Sequence, residues 1–187
     1  MNIAFGPVPS RRLGRSLGIN NIPPKSCSYS CLYCQVGVTL GQKITPQTFY
    51  TPKDIFQKVS EHLKKVNSTN EAVNYLTFVP DGEPTLDINL GKTIELLRPL
   101  NIPIAVITNA SLLWHEDVRA AICKADWVSL KVDSAIEPVW KRINRPHERL
   151  RLNEVLNGIQ LFAQQFKGKL VTETMLLNGV NDNDENI

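Results

Sequence analysis

Apolar positions along this chain alternate between short runs rich in β-branched residues and longer stretches that repeat every three to four residues. That succession of periods predicts parallel strands joined by crossover helices. SLGINNI, residues 16–22, reads as a first strand ended by Pro23 and Pro24. After a polar loop, Thr51 and Pro52 supply a helix cap and a proline at the first helical position, and Ile55, Val59, Leu63 and Val66 follow at helical spacing. VNYLTFVP, 73–80, predicts a buried second strand, then the turn DGEPTLD and a helix on Leu90, Ile94 and Leu97 that stops before Pro99. IPIAVITN, 102–109, is a third strand, followed by a helix through Val118 and Ile122, and WVSLKVD, 127–133, is a fourth. Residues 152–166 carry Val155, Leu156, Ile159 and Phe162 on one helical face, and KLVTETMLL, 169–177, is a fifth strand.

The fold class is therefore α/β, either a sheet closed fully or partly into a barrel or an open doubly wound one. In both, ligands gather at the carboxyl ends of the strands. No internal repeat, low-complexity tract or linker divides the chain, so residues 1–187 read as one domain. The tail NGVNDNDENI looks like a turn leading into a further helix, which implies a core lacking its last βα unit or units.

Composition changes this picture little: 42% hydrophobic and 21% charged residues suit a globular domain. No apolar run approaches the roughly 20 residues that cross a bilayer, and MNIAFGPVPSRR lacks the order of a secretory signal, so no membrane and a cytoplasmic location are the expectation. The net charge of +3 is unevenly placed, with six basic and no acidic residues before Asp54 and with Arg11, Arg12 and Arg15 close together. That patch fits an anionic ligand near the cysteines or a solvated basic segment.

The cysteines carry the chemistry. Three of the four, Cys27, Cys31 and Cys34, fall in KSCSYSCLYCQVG directly after the first strand. In a reducing compartment such a cluster reads as metal or redox chemistry. Three thiolates can ligate three irons of a [4Fe-4S] cluster and leave the fourth open. A structural zinc site needs four ligands, and no second cysteine pair exists; His62 and His115 lie in expected helices, and His147 could join only through long-range folding. Cys123, on an apolar helical face, reads as core. Two other readings remain: a non-catalytic iron-sulfur electron carrier, and a zinc-stabilised nucleic-acid-binding module.

The spacing Cys27-x3-Cys31-x2-Cys34, with Tyr33 before the last cysteine, resembles the signature of radical S-adenosylmethionine (radical SAM) enzymes, and Gly82-Glu83-Pro84 matches the family's second-strand motif. The resemblance spans all five expected strands. GPVPSRRLGRSLGIN and DGEPTL are similar to a subgroup grouped with wybutosine-type tRNA-modifying enzymes, a match that says little about substrate. It implies an incomplete (β/α)6 TIM-like barrel. It also implies a [4Fe-4S] cluster on the three cysteines, SAM chelated to the open iron, an electron donor such as flavodoxin or ferredoxin, and tRNA as a candidate substrate. Tyr33 would offer a planar surface to the adenine, and Glu83 would receive the methionine ammonium, with Gly82 permitting close backbone approach and Pro84 stiffening the turn.

Alternation in the fourth strand puts Ser129, Lys131 and Asp133 on one face and Val128, Leu130 and Val132 on the other. Polar groups on an interior strand suggest a wet, ligand-bearing cavity, and the resemblance makes Ser129 and Asp133 candidates for SAM hydroxyls and Lys131 for an anion. Asn109 at the end of the third strand and Glu173 in the fifth are further candidates. The basic run KRINRPHERLR reads as a solvated loop, with Arg145 and His147 as candidate substrate or phosphate ligands.

Overall fold

A computed structural model describes residues 2–68 and 72–185. Six strands form one sheet in the order β1 to β6: β1 (Ala4–Ser10), β2 (Gly14–Ile19), β3 (Tyr75–Phe78), β4 (Ile104–Thr108), β5 (Trp127–Lys131) and β6 (Lys169–Glu173). β1 is antiparallel to β2, and every later pair is parallel. The helices are α1 (Pro52–Asn67), α2 (Leu90–Leu97), α3 (Glu116–Ile122), α4 (Glu137–Asn144) and α5 (Leu152–Gln165). This is the expected α/β core, an incomplete TIM-like barrel, with the five expected strands in parallel succession as β2 to β6.

Helix α1 starts where expected: the Thr51 hydroxyl accepts the Asp54 backbone N–H at 3.1 Å, and Pro52 occupies the first turn, where it forfeits no helical hydrogen bond. Its apolar stripe of Ile55, Val59 and Leu63 joins Leu90, Ile94 and Leu97 of α2, Val118 and Ile122 of α3 and Phe162 of α5. All of them pack on one face of the sheet, against Leu17, Ile19, Leu76, Phe78, Ile104, Val106, Val128 and Leu130. The opposite face carries Tyr75, Ala105, Ile107, Trp127 and Val171 as a smaller apolar cluster, with Thr77, Ser129 and Lys131 at the alternate positions of the same strands. The face of β5 read as polar is thus the helix-free one.

Three segments depart from expectation. The N-terminal segment keeps Arg11, Arg12 and Arg15 exposed, as the solvated reading has it, but is ordered as the hairpin β1–β2, turned at Ser10–Gly14, where the Ser10 hydroxyl accepts the Leu13 N–H at 3.2 Å and Gly14 takes φ +63°. Phe5 lies over Gly18, its ring where a side chain at 18 would stand, 2.1 Å from an added Cβ. Leu13, 4% exposed, inserts between Ala105 and Trp127 on the helix-free face. Second, the first four residues of the basic run, 141–144, are not loop but the end of helix α4 (137–144), with Trp140, Ile143 and Asn144 buried. Third, the strand expected over 169–177 stops at Glu173 because the Met175 N–H turns to the Asp133 side chain instead of a strand partner. The tail forms a turn at 178–181; no helix follows among the described residues, and 186–187 lie outside them.

Candidate cofactor site

The cysteine loop leaves the carboxyl end of β2 and is clamped by backbone hydrogen bonds on both sides. On one side the turn after β3 holds it: Lys25 N–H donates to Asp81 O at 2.7 Å, and Glu83 N–H to Ser26 O at 2.9 Å. Gly82 is glycine for this reason, since a Cβ there would meet Ser26 O at 2.2 Å. The close approach it permits is to the cysteine loop. On the other side the loop caps α4: Ser30 N–H donates to Asn144 O (3.0 Å) and Leu32 N–H to Ile143 O (2.8 Å), while His147 N–H donates to Ser28 O (2.9 Å). The carbonyls that a helix leaves orphaned at its end are satisfied by the cysteine loop. Tyr29 anchors the same contact, with Trp140 Nε1 donating to its hydroxyl at 3.2 Å and the two rings edge to face at 6.0 Å.

Cys27, Cys31 and Cys34 are free, half-buried thiols. Burial first, then the Glu83 charge, pushes Cys27 up to about 12, with Cys31 and Cys34 adding to the rise. Burial also raises Cys31, opposed by the Asn144 amide. The thiols are close enough to feel one another. Yet among the described residues no three His, Cys, Asp or Glu side chains converge as ligands of a single metal ion. Three thiols in one loop offer three corners to a multi-iron cluster, one fewer than a closed zinc site needs. Cys123 sits at the end of α3 against the main core, as expected. His147 comes near the loop through its backbone, while its ring Nδ1 accepts the Arg149 N–H at 3.1 Å.

Amide donors reach two of the sulfurs. Asn109 Nδ2 lies 3.6 Å from Cys27 Sγ and donates to Ser28 Oγ at 2.9 Å. Asn144 Nδ2 lies 3.5 Å from Cys31 Sγ and 2.6 Å from Asp133 Oδ2. Asn144, missed in the sequence, carried one signal: an asparagine two residues before a proline, at the end of an apolar i, i+3 pair, marks a helix terminus.

Glu83 is almost fully buried. Its Oε1 accepts from Thr85 N–H (3.0 Å), Thr85 Oγ1 (2.5 Å) and Thr108 Oγ1 (2.6 Å), and its Oε2 from Asn109 N–H at 2.7 Å. Burial raises its pKa, against these four donors. A carboxylate offers about four acceptor sites, two on each oxygen, so the unused capacity is on Oε2, facing Asn109. Pro84 opens a short 3-10 turn, and its carbonyl accepts from the buried Asn21 amide at 3.0 Å.

Across the site, the Tyr33 hydroxyl donates to Asp133 Oδ2, and the Lys131 ammonium stands 4.9 Å from the Tyr33 ring centre. Asp133 Oδ1 accepts the Met175 N–H at 2.8 Å. The structure therefore gathers Cys27, Glu83 and Asn109 on one side and Cys31, Tyr33, Lys131 and Asp133 on the other. Ser129 is turned away, donating to Glu173 Oε1 at 2.6 Å. Arg145 contributes backbone here: it takes φ 43° to end α4.

The profile of the Radical SAM superfamily matches residues 21–187. UPF0026 protein MJ1312 of Methanocaldococcus jannaschii is 57% identical over 187 residues, all of this chain and 58% of that protein. The chain thus spans little more than half of that relative. A solved structure of TYW1 with a lysine-pyruvate adduct bound superposes with a TM-score of 0.65 at 17% identity, over 90% of this chain and 57% of that one. Native anSMEcpe with bound AdoMet gives 0.57 at 21% identity, over 84% of this chain and 42% of that one.

Proposed function

The chain belongs to the radical SAM superfamily, and on that premise we propose that it is the catalytic core of a radical SAM enzyme, with a [4Fe-4S] cluster on Cys27, Cys31 and Cys34 and SAM on the vacant iron. The observation that carries this reading is the set of three free, half-buried thiols held in one loop beside the buried Glu83. Held by Cys27, Cys31 and Cys34, such a cluster would supply the one-electron reduction that cleaves SAM, with methionine as the leaving group, for radical chemistry on a substrate.

The protein's share is binding and orientation. Glu83 Oε2 accepts the methionine ammonium with its remaining lone pair, beside the Asn109 N–H. Pro84 fixes the turn that presents it. Tyr33, braced by Asp133 and Lys131, offers its ring to the adenine. Asp133 serves the ribose hydroxyls, Lys131 the methionine carboxylate, and Ser129, turned to Glu173, takes no part. Asn109 and Asn144 direct N–H groups at two of the thiolates. An external donor such as flavodoxin or ferredoxin would deliver the electron. The substrate class is open, with tRNA a candidate.

Anaerobic reconstitution tests this. Wild-type protein should incorporate iron with acid-labile sulfide, and SAM should perturb the paramagnetic resonance of the reduced cluster; Cys31→Ala should lose the cluster. Glu83→Gln should keep the cluster and weaken SAM affinity by about tenfold. Bound zinc without sulfide, or a full cluster in Cys31→Ala, would refute the assignment. 5'-Deoxyadenosine release with and without tRNA then separates an enzyme from an electron carrier.

A further inference from the structure

The arginines of the N-terminal hairpin are not used by the cofactor site. The hairpin tip and the end of β6 enclose a cleft of about 720 Å³ whose polar lining is Ser10, Arg11, Arg12, Thr172, Glu173 and Thr174. Arg12 is its centre. One guanidinium nitrogen, Nη1, lies 2.6 Å from Glu173 Oε1, and the group stands 6.0 Å from the centre of the Trp127 ring. Glu173 Oε1 also accepts from Ser129 at 2.6 Å. Ser129 and Lys131 share one face of β5, two residues or about 7 Å apart, and Lys131 stands on Tyr33 at the cofactor site. The cleft therefore continues the helix-free face away from the cysteines.

From this we propose that the cleft binds an oxyanion group, phosphate or carboxylate, of the substrate, with Arg12 as its principal ligand. The proposal rests on the radical SAM reading for the word substrate, while the site itself stands on its own residues. Its lining has two guanidinium groups against one carboxylate, a net positive field in a concave site. A guanidinium presents five N–H donors in a fork that matches an oxyanion, and no protein acceptor other than Glu173 is recorded for the Arg12 side chain among the described residues. The Trp127 ring, 6.0 Å away, adds a cation–π contact to the guanidinium. The Arg12 side chain is 49% exposed and that of Glu173 23%, so their ion pair is the solvent-screened kind that contributes little and yields readily to a better anion. The Ser10 hydroxyl accepts from the Arg12 and Leu13 N–H groups, which leaves its own proton to donate. Displaced from Arg12, Glu173 keeps its bond from Ser129.

The test is calorimetric titration of inorganic pyrophosphate and, separately, tricarballylate into the anaerobically purified protein, with SAM titrated in parallel. Wild-type protein should bind one of the two anions, and which one distinguishes a phosphate from a carboxylate source. Arg12→Gln should weaken that binding by about tenfold or more, Arg12→Lys less, and Glu173→Gln should strengthen it by removing the internal competitor. Arg98→Gln, whose arginine is bonded to Asp126 elsewhere on the molecule, should bind like wild type. SAM affinity should be unchanged in Arg12→Gln. Anion binding unaltered in both Arg12 variants, or no binding of either anion by protein that still takes up SAM, would overturn the proposal; loss of SAM binding by the wild type would instead strike at the cofactor reading.

Discussion

At the scale of single residues, Asn144 joins α4, Asp133 and the Cys31 sulfur through one amide nitrogen. An N–H directed at a cluster sulfur stabilises the reduced, more negative state, so its removal lowers the reduction potential. Asn144→Ala should therefore bind a cluster whose midpoint, followed by paramagnetic resonance during a redox titration, is more negative than wild type, so that the cluster is harder for an external donor to reduce. An unmoved midpoint would reduce Asn144 to a packing role. Asp87 offers a second case, away from the thiols. Burial pushes its carboxyl from 3.8 up to about 6, against hydrogen bonds from Asn89 N–H and the Asn21 amide. The folded chain thus holds this proton more tightly than the unfolded one does. The stability involved is complete below about pH 4, is lost as pH rises through 6, and is on the order of 2–3 kcal/mol. Asp87→Asn should accordingly flatten the fall in melting temperature between pH 4.5 and 7; a variant with the wild-type slope would show that other groups set it.

Elements test packing against intrinsic preference. Gly158 lies inside α5, where alanine should favour the helix by about 1 kcal/mol. A Cβ there would, however, stand 2.5 Å from the backbone at Leu113 and Trp114, which cannot swing aside as a side chain can. Gly158→Ala should destabilise the protein by about 1–3 kcal/mol in denaturant unfolding, the sign opposite to that of helix propensity. The same division between local pattern and tertiary contact explains what the sequence made legible. β2 to β6 and α1, α2, α3 and α5 bury one continuous face, so their apolar periods are unambiguous. β1 is interrupted by Pro7 and Pro9 and is a strand only because β2 pairs with it. α4 has just Trp140 and Ile143 to mark its seam among basic residues, and its end is completed by the cysteine loop rather than by its own sequence. The thiols, Glu83 and Asn109 were readable because each lies in the segment that follows a strand of clear apolar period. Asn144 and the Arg12–Glu173 pair were not, because each depends on a contact between segments far apart in the chain.

For the molecule as a whole, the sheet is unequally supported from one strand to the next. β3 and β4 each have a partner on both sides and are almost wholly buried, whereas among the described residues β6 pairs only with β5 and is half-exposed along its length. No helix among the described residues is long and apolar enough to cross a membrane. Amide exchange follows the free energy of local opening, which is lowest where backbone bonds are solvent-exposed and apolar contacts few. Hydrogen exchange by mass spectrometry should then show β6 and the segment after it exchanging at least about tenfold faster than β3 and β4. The cofactor pocket spans this gradient, since Glu83 and Asn109 follow the well-protected strands while Asp133 is tied through Met175 to the chain beyond β6. If SAM bridges the two sides as proposed, adding it to the cluster-loaded protein should slow exchange at Met175 and leave β3 unchanged. Equal slowing across the sheet would instead mean that binding stabilises the fold as one unit.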